Sequence, residues 1–210
     1  MKGMATWLKV LLIISALCVI GVIGMCAVGF YFFQEMTSPT KISAIANKFM
    51  TIDSPLPAGN AYIAGADFMV PFVVINNNQS KTVYTFFETP ASKSSTDVTA
   101  EQTIDAIAQG KEAPNVPGGT AGTTAPKKLK VASRDTLVVG GLKMPYVIGS
   151  SERPGVKSNN VQDIFFGSVK TPSNKMIFVM GQQTDPSADT RTSITIDNVK
   201  QLTAAIKGWK

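Results

Sequence analysis

Hydrophobic and polar positions divide this chain into one long apolar run and a series of short, patterned segments. The run extends from Val10 to Gln34, 25 residues without a charge, between Lys9 and Glu35. A bilayer core takes about 20 apolar residues in helical form. Backbone polar groups in lipid must bond within their own segment. The run is therefore expected to be one transmembrane helix. Ala27-Val28-Gly29 imitates a cleavage site, but it lies deep in the run. The cluster Phe30-Tyr31-Phe32-Phe33 follows it and suits the interfacial belt of a retained helix. Leu17 and Met25 precede the two cysteines, where a lipoprotein site needs a small residue. Gly29-Phe30 comes after the apolar helix, where a pilin leader would place it before. Lys2 and Lys9 precede the span and Glu35 is the first charge beyond it. The amino terminus is thus expected inside a cytoplasmic (inner) membrane and the rest outside, in the periplasmic direction.

After the run the periods become short. Ile42, Ile45, Ala46 and Phe49 recur at helical spacing, with Thr40 as the expected cap. The stretch 51–62 is rich in Pro and Gly and reads as extended chain with a turn. Residues 67–76 and 81–89 are β-rich runs joined by Asn77-Asn78-Gln79-Ser80, a hairpin signal; Pro71 predicts an edge strand or a bulge. Thr99 and Gln102 have capping-box spacing before a helix carrying Ile104, Ile107 and Ala108. Strands are expected at 129–135, 136–140 and 143–151, then at 161–170 and 175–183 with a turn at 171–174. A last helix, capped by Asp197, carries Val199, Leu202 and Ile206 and ends at Trp209.

Hairpins dominate this order, so the expected fold class is α+β, a mostly antiparallel sheet covered by helices and preceded by one transmembrane helix. The expected organisation is a short cytoplasmic tail at 1–9, the span at 10–34, and an extracytoplasmic domain at 35–210. Residues 111–128 hold no large apolar residue except Val116 and read as a flexible insertion within that domain.

Composition narrows the chemistry. Both cysteines, Cys18 and Cys26, fall in the apolar run, and the chain has no histidine. The outer part therefore lacks a thiolate nucleophile, a thiolate metal site and any Ser-His or Cys-His mechanism. The chain carries 20 basic and 14 acidic residues, a mild excess that is a weak footprint for nucleic acid. No phosphate-loop, dinucleotide, zincin or nucleophile-elbow motif is present. Asp185, Asp189 and Asp197 cluster in sequence, but a calcium loop needs alternate oxygen ligands around a central glycine with a closing glutamate. Catalytic, cofactor-binding and metal residues are accordingly all expected to be absent. Asn78-Gln79-Ser80 matches a glycosylation sequon by its three residues alone.

Phe49, Ile52, Pro55, Gly59 and Tyr62, followed by the paired strands 161–170 and 175–183 and a closing helix ending at Trp209, resemble a known pattern. The stretch 41–210 is similar in element order to the small α-β-α sandwich family that includes PsbP, Mog1 and the bacterial DcrB-type lipoproteins. The insertion at 111–128 departs from it. The resemblance implies a non-catalytic module, of a kind that serves as accessory or assembly factor on larger membrane complexes, photosystems among them. It carries over no catalytic residue.

Three functional classes follow from the sequence, and one of them, an enzyme, is disfavoured by the absent histidine and by cysteines confined to the apolar run. The first is a single-pass, membrane-anchored, non-catalytic accessory subunit whose outer domain binds another protein of a membrane complex. Its expected partners are membrane lipid and that protein, not nucleic acid. Gly21 and Gly24, with Ala27 and Val28 a turn further on, form a small-residue face on which another helix can dock, although glycine is also frequent in isolated spans. The alternative reading is a binding module for an apolar ligand held among Phe68, Phe72, Phe86, Phe87, Phe165 and Phe166, which would otherwise be core.

Overall fold

A computed structural model describes residues 34–67, 70–89, 99–109, 129–152, 161–183 and 194–210. Helix α1 (Pro39–Phe49) leads into β1 (Met50–Ile52) and the strands β2 (Asn60–Asp67), β3 (Pro71–Asn77) and β4 (Thr82–Thr89). Helix α2 (Ala100–Ala108) precedes β5 (Lys130–Val139), β6 (Leu142–Glu152), β7 (Val161–Lys170) and β8 (Met176–Gln183). Helix α3 (Ile196–Thr203) and β9 (Ile206–Trp209) close the chain. Seven strands form one antiparallel sheet in the order β2-β3-β4-β8-β7-β6-β5, and β1 pairs with β9 in a separate ribbon.

Local chemistry accounts for the helix starts. Ser38 is the N-cap of α1 and Pro39 stands in its first turn, where a missing N–H costs nothing. Thr40, the expected cap, lies inside the helix. Around α2 the capping box forms: Gln102 N–H donates to the Thr99 hydroxyl at 3.1 Å, and Thr99 N–H to the Gln102 side chain at 2.8 Å. Thr195, not Asp197, caps α3, with Asn198 as its reciprocal partner.

The sheet buries both faces unequally. On the core face Val73, Ile75, Tyr84, Phe86, Phe165 and Val179 pack beneath Ile42, Ala46 and Phe49 of α1, Val199 and Leu202 of α3, and Met50, Ile206 and Trp209 of the β1–β9 ribbon. On the outer face Ala100 of α2 meets Met176, Phe178 and Phe87, while Ile104 and Ile107 meet Val147 and Phe166.

This arrangement corrects the expected fold class. The described chain is mostly β, nine strands against three helices of 8 to 11 residues. The sheet is not simply helix-covered, because part of its core face is closed by a strand ribbon. Helix α3 stops at Thr203, and the segment to Trp209 turns and pairs with β1. Among the described residues no helix is long and apolar enough to cross a membrane. The expected span at 10–34 lies, apart from Gln34, outside the described residues, as does the insertion at 111–128.

Pro71 is also placed differently. It starts β3, and β3 is an inner strand paired on both sides. A first-residue proline breaks no ladder. The irregularity falls instead in β2, between Tyr62 and Ala64.

Candidate functional site

The sequence-derived site residues do not converge. Gly21, Gly24, Ala27 and Val28 lie outside the described residues, and so do Phe68, Asp185 and Asp189. Asp197 is exposed in the first turn of α3. The remaining phenylalanines fall on opposite faces of the sheet. Phe86 and Phe165 are fully buried in the main core, whereas Phe87 stacks on Phe178 with ring centroids 5.4 Å apart on the outer face. Phe166 packs beneath α2. Neighbouring strand residues point to opposite faces, so 86 and 87, or 165 and 166, do not line one ligand pocket.

A buried polar group holds the β3–β4 turn. The Asn77 side-chain oxygen accepts from Gln79 N–H at 3.0 Å and Ser80 N–H at 2.9 Å, and its amide donates to Asn60 at 3.1 Å. Asn77 thereby builds the hairpin tip and joins it to β2. Asn78 of the sequon is exposed there and Ser80 is buried. Beside them burial pushes the Tyr84 hydroxyl up to about 12; Thr82 and Ser80 offset only part of that effect.

This hydroxyl gives an alkaline signature. Above pH 10 the unfolded tyrosine loses its proton while the folded one keeps it, so the unfolded state binds fewer protons. The Tyr84 contribution is fully present below pH 10 and is lost as pH rises from there to about 12, a loss of about 2–3 kcal/mol. Denaturant titrations from pH 8 to 12 are expected to show this limb, and Tyr84→Phe is expected to lack most of it. Tyr62, shifted upward by its own burial, supplies a residue. An unchanged limb in the variant would refute the assignment.

The strand the sequence divided in two provides the clearest surface. Residues 130–139 form one continuous strand, β5, with a register shift between Val131 and Ser133. It is an edge strand, paired within the sheet with β6 alone. Lys130 to Thr136 are all exposed, although β6 beside them is buried from Met144 to Gly149. Val138 is 74% exposed and Val131 43% exposed.

The turn at the end of β5 fixes which backbone groups are free to pair. Gly140 and Gly141 have φ of 55° and 81°, the signs of a two-residue I′ turn. Val139 and Leu142, which flank it, then form a hydrogen-bonded pair, and such pairs alternate along an antiparallel ladder. Leu137, Asp135 and Ser133 therefore bond toward β6, opposite Met144, Tyr146 and Ile148. The backbone N–H and C=O of Val138, Thr136 and Arg134 point away from it. Pro145 sits opposite Thr136, and β6 meets β7 only from Tyr146 onward, so the proline costs no ladder bond on either side.

Neighbouring elements bound this edge. Trp209 Nε1–H donates to the Val139 carbonyl at 2.7 Å. A Cβ on Gly140 would lie 2.9 Å from Gly208 Cα, so β9 closes tightly over the turn. Arg134 forms an ion pair with Asp105 of α2 on the outer face. Asp135 Oδ1 accepts from Thr136 N–H at 2.7 Å, covering the middle donor of the edge.

No family model matches the chain, and no curated protein matches it. Among solved structures it is similar to immunity protein TplEi of T6SS from Pseudomonas aeruginosa, complexed with "L" peptide. Sequence identity there is 15% and the TM-score 0.40, over 80% of this chain and 61% of that one. It is also similar to LpqN, involved in cell envelope biogenesis of Mycobacterium tuberculosis, at 12% identity and a TM-score of 0.34. That match covers 73% of this chain and 80% of LpqN.

Among the described residues no three or more of His, Cys, Asp and Glu come together where they would hold a metal ion. From the sequence, one strand ends at Asp135 and another begins at Thr136, so β5 does not stand out as a single long edge. Both alternating sets of Lys-Val-Ala-Ser-Arg-Asp-Thr are mainly polar, with only Val131 and Ala132 apolar, which is the signature of a strand covered on neither face.

Proposed function

We propose that this domain is a non-catalytic binding module that captures an extended segment of another protein along the free edge of β5. One observation carries the reading: an edge strand, open along its outer side among the described residues, exposes seven consecutive side chains beside a buried neighbour. Long exposed edges attract foreign strands, and proteins that do not use them cover or shorten them. Here the edge is long and only partly guarded. Strand addition uses main-chain hydrogen bonds for affinity and alternate side chains for selectivity. It needs neither a nucleophile nor a metal.

Thr136→Pro tests this directly. Thr136 N–H faces away from β6, so proline there removes an outward donor and leaves the internal ladder intact. In its native cells, the full chain carrying a photoreactive residue at Val138 is expected to yield one discrete adduct. The adduct should vanish on adding Thr136→Pro, with an unchanged melting temperature, and should not form from Lys200 on α3. An adduct that survives the proline, or forms equally at Lys200, refutes the edge reading.

A further inference from the structure

The side chains along β5 also specify what the captured segment is made of. Resting on the edge reading, we propose that the partner segment places an apolar residue against Val138 and an acidic residue against Arg134, and that Asp135 shields the edge until this segment arrives.

The outward-pairing residues Val138, Thr136 and Arg134 alternate with those bonded to β6, so all three project onto the outer face. An incoming antiparallel strand meets them with residues two positions apart. Val138 is the most exposed large hydrophobic residue among those described and gains most from an apolar neighbour. Four positions away stands Arg134, held on the same face by Asp105. A guanidinium has five donors, and one carboxylate leaves several for a second. Lys143, directly across from Val138 on β6, is exposed and adds positive charge to this face. The partner pattern is thus an apolar residue followed, four positions later, by Asp or Glu.

A second copy of this chain fits the edge less well. Antiparallel self-pairing keeps each face in common, so outward residues oppose outward residues. Centring on Thr136 sets Arg134 against Val138; centring on Asp135 opposes two aspartates; centring on Arg134 opposes two arginines. Like charges directly opposite destabilise a pair, and a chain of formal charge +6 repels its own copies. An acidic residue opposite Arg134 meets the opposite charge instead.

Asp135 completes the arrangement. Its carboxylate occupies the Thr136 N–H, where the carbonyl of an added strand would bind. An unoccupied edge is thereby shielded, and the carboxylate has to swing aside on capture. Its negative charge also stands against an acidic segment until it moves. Asp135→Ala is expected to strengthen capture several-fold.

The test titrates the full chain with two short synthetic peptides of β-branched residues. One carries valine and, four positions later, glutamate; in the other, lysine replaces the glutamate. The glutamate peptide is expected to bind about fivefold to tenfold more tightly, with both lost on Thr136→Pro and the glutamate peptide tightened by Asp135→Ala. Equal binding of the two, with loss on Thr136→Pro, overturns the charge pattern and leaves the edge reading standing. Binding that survives Thr136→Pro overturns the edge reading, and no binding of either peptide overturns both. Weaker capture by Asp135→Ala overturns the shield. A dimer that Thr136→Pro dissolves overturns the foreign partner in favour of a second copy.

Discussion

Replacing Trp209 by alanine is expected to lower the stability of the domain by about 3–5 kcal/mol, the range for removing a buried aromatic. Trp209 lies on β9 opposite Met50 of β1, and Lys210 N–H donates to the Phe49 carbonyl at 3.0 Å. Its indole reaches from this ribbon to the Val139 carbonyl at the end of β5. One side chain therefore ties the last strand to the first and both to the sheet. Trp209→Phe keeps most of the apolar area and loses the indole donor, so its expected cost is smaller, about 1–2 kcal/mol. Urea denaturation of both variants at neutral pH measures the difference. A loss below about 1 kcal/mol in the alanine variant would show that the core closes without β9.

The stop at Thr203 and the strand that follows explain why this region misled the sequence reading. Val199, Leu202, Ile206 and Trp209 do fall on one side of an extended helix. What ends the helix is a pairing with Met50–Ile52, more than 150 residues earlier in the chain, and nothing in the local pattern announces it. Local signals fared better. The Thr99–Gln102 capping box, the β3–β4 and β7–β8 hairpins, and the inward stripe of α1 are all built from neighbours in sequence. They were legible for that reason.

Strand β2 shows a second limit. Half of Asn60–Asp67 is Ala or Gly, and its two large apolar residues, Tyr62 and Ile63, are adjacent, so it displays no period of two. Its small residues serve the packing of α1: a Cβ on Gly65 would lie 2.9 Å from Ile42 Cγ2. The strand is held by its ladder with β3 and is kept small where Ile42 lies against it, both of them partners in space. The candidate site was hidden for a related reason. An edge strand with mainly polar side chains on both faces carries no continuous hydrophobic alternation, so 129–135 and 136–140 read as two short strands, and only the pairing with β6 joins them into one edge.

Phe165→Ala is expected to cost about as much as Trp209→Ala, about 3–5 kcal/mol, and to exceed clearly the loss from Phe166→Ala. The two residues are adjacent on β7 and point to opposite faces. Phe165 is fully buried, with its ring 5.8 Å from that of Tyr146. The space around it is shaped by glycines: a Cβ on Gly167 would lie 3.1 Å from Phe165 Cζ, and one on Gly181 would lie 3.0 Å from Tyr84 Cε1. Rings laid over backbone leave a void with stiff walls when one is removed, because paired strands cannot close inward as side chains can. Phe166 is only half-buried beneath α2, a nine-residue helix that can settle into the gap. Parallel denaturation curves for the two variants measure the contrast. Equal losses would mean that the outer face carries as much of the stability as the core face, and that α2 is not the weaker cover it is taken to be.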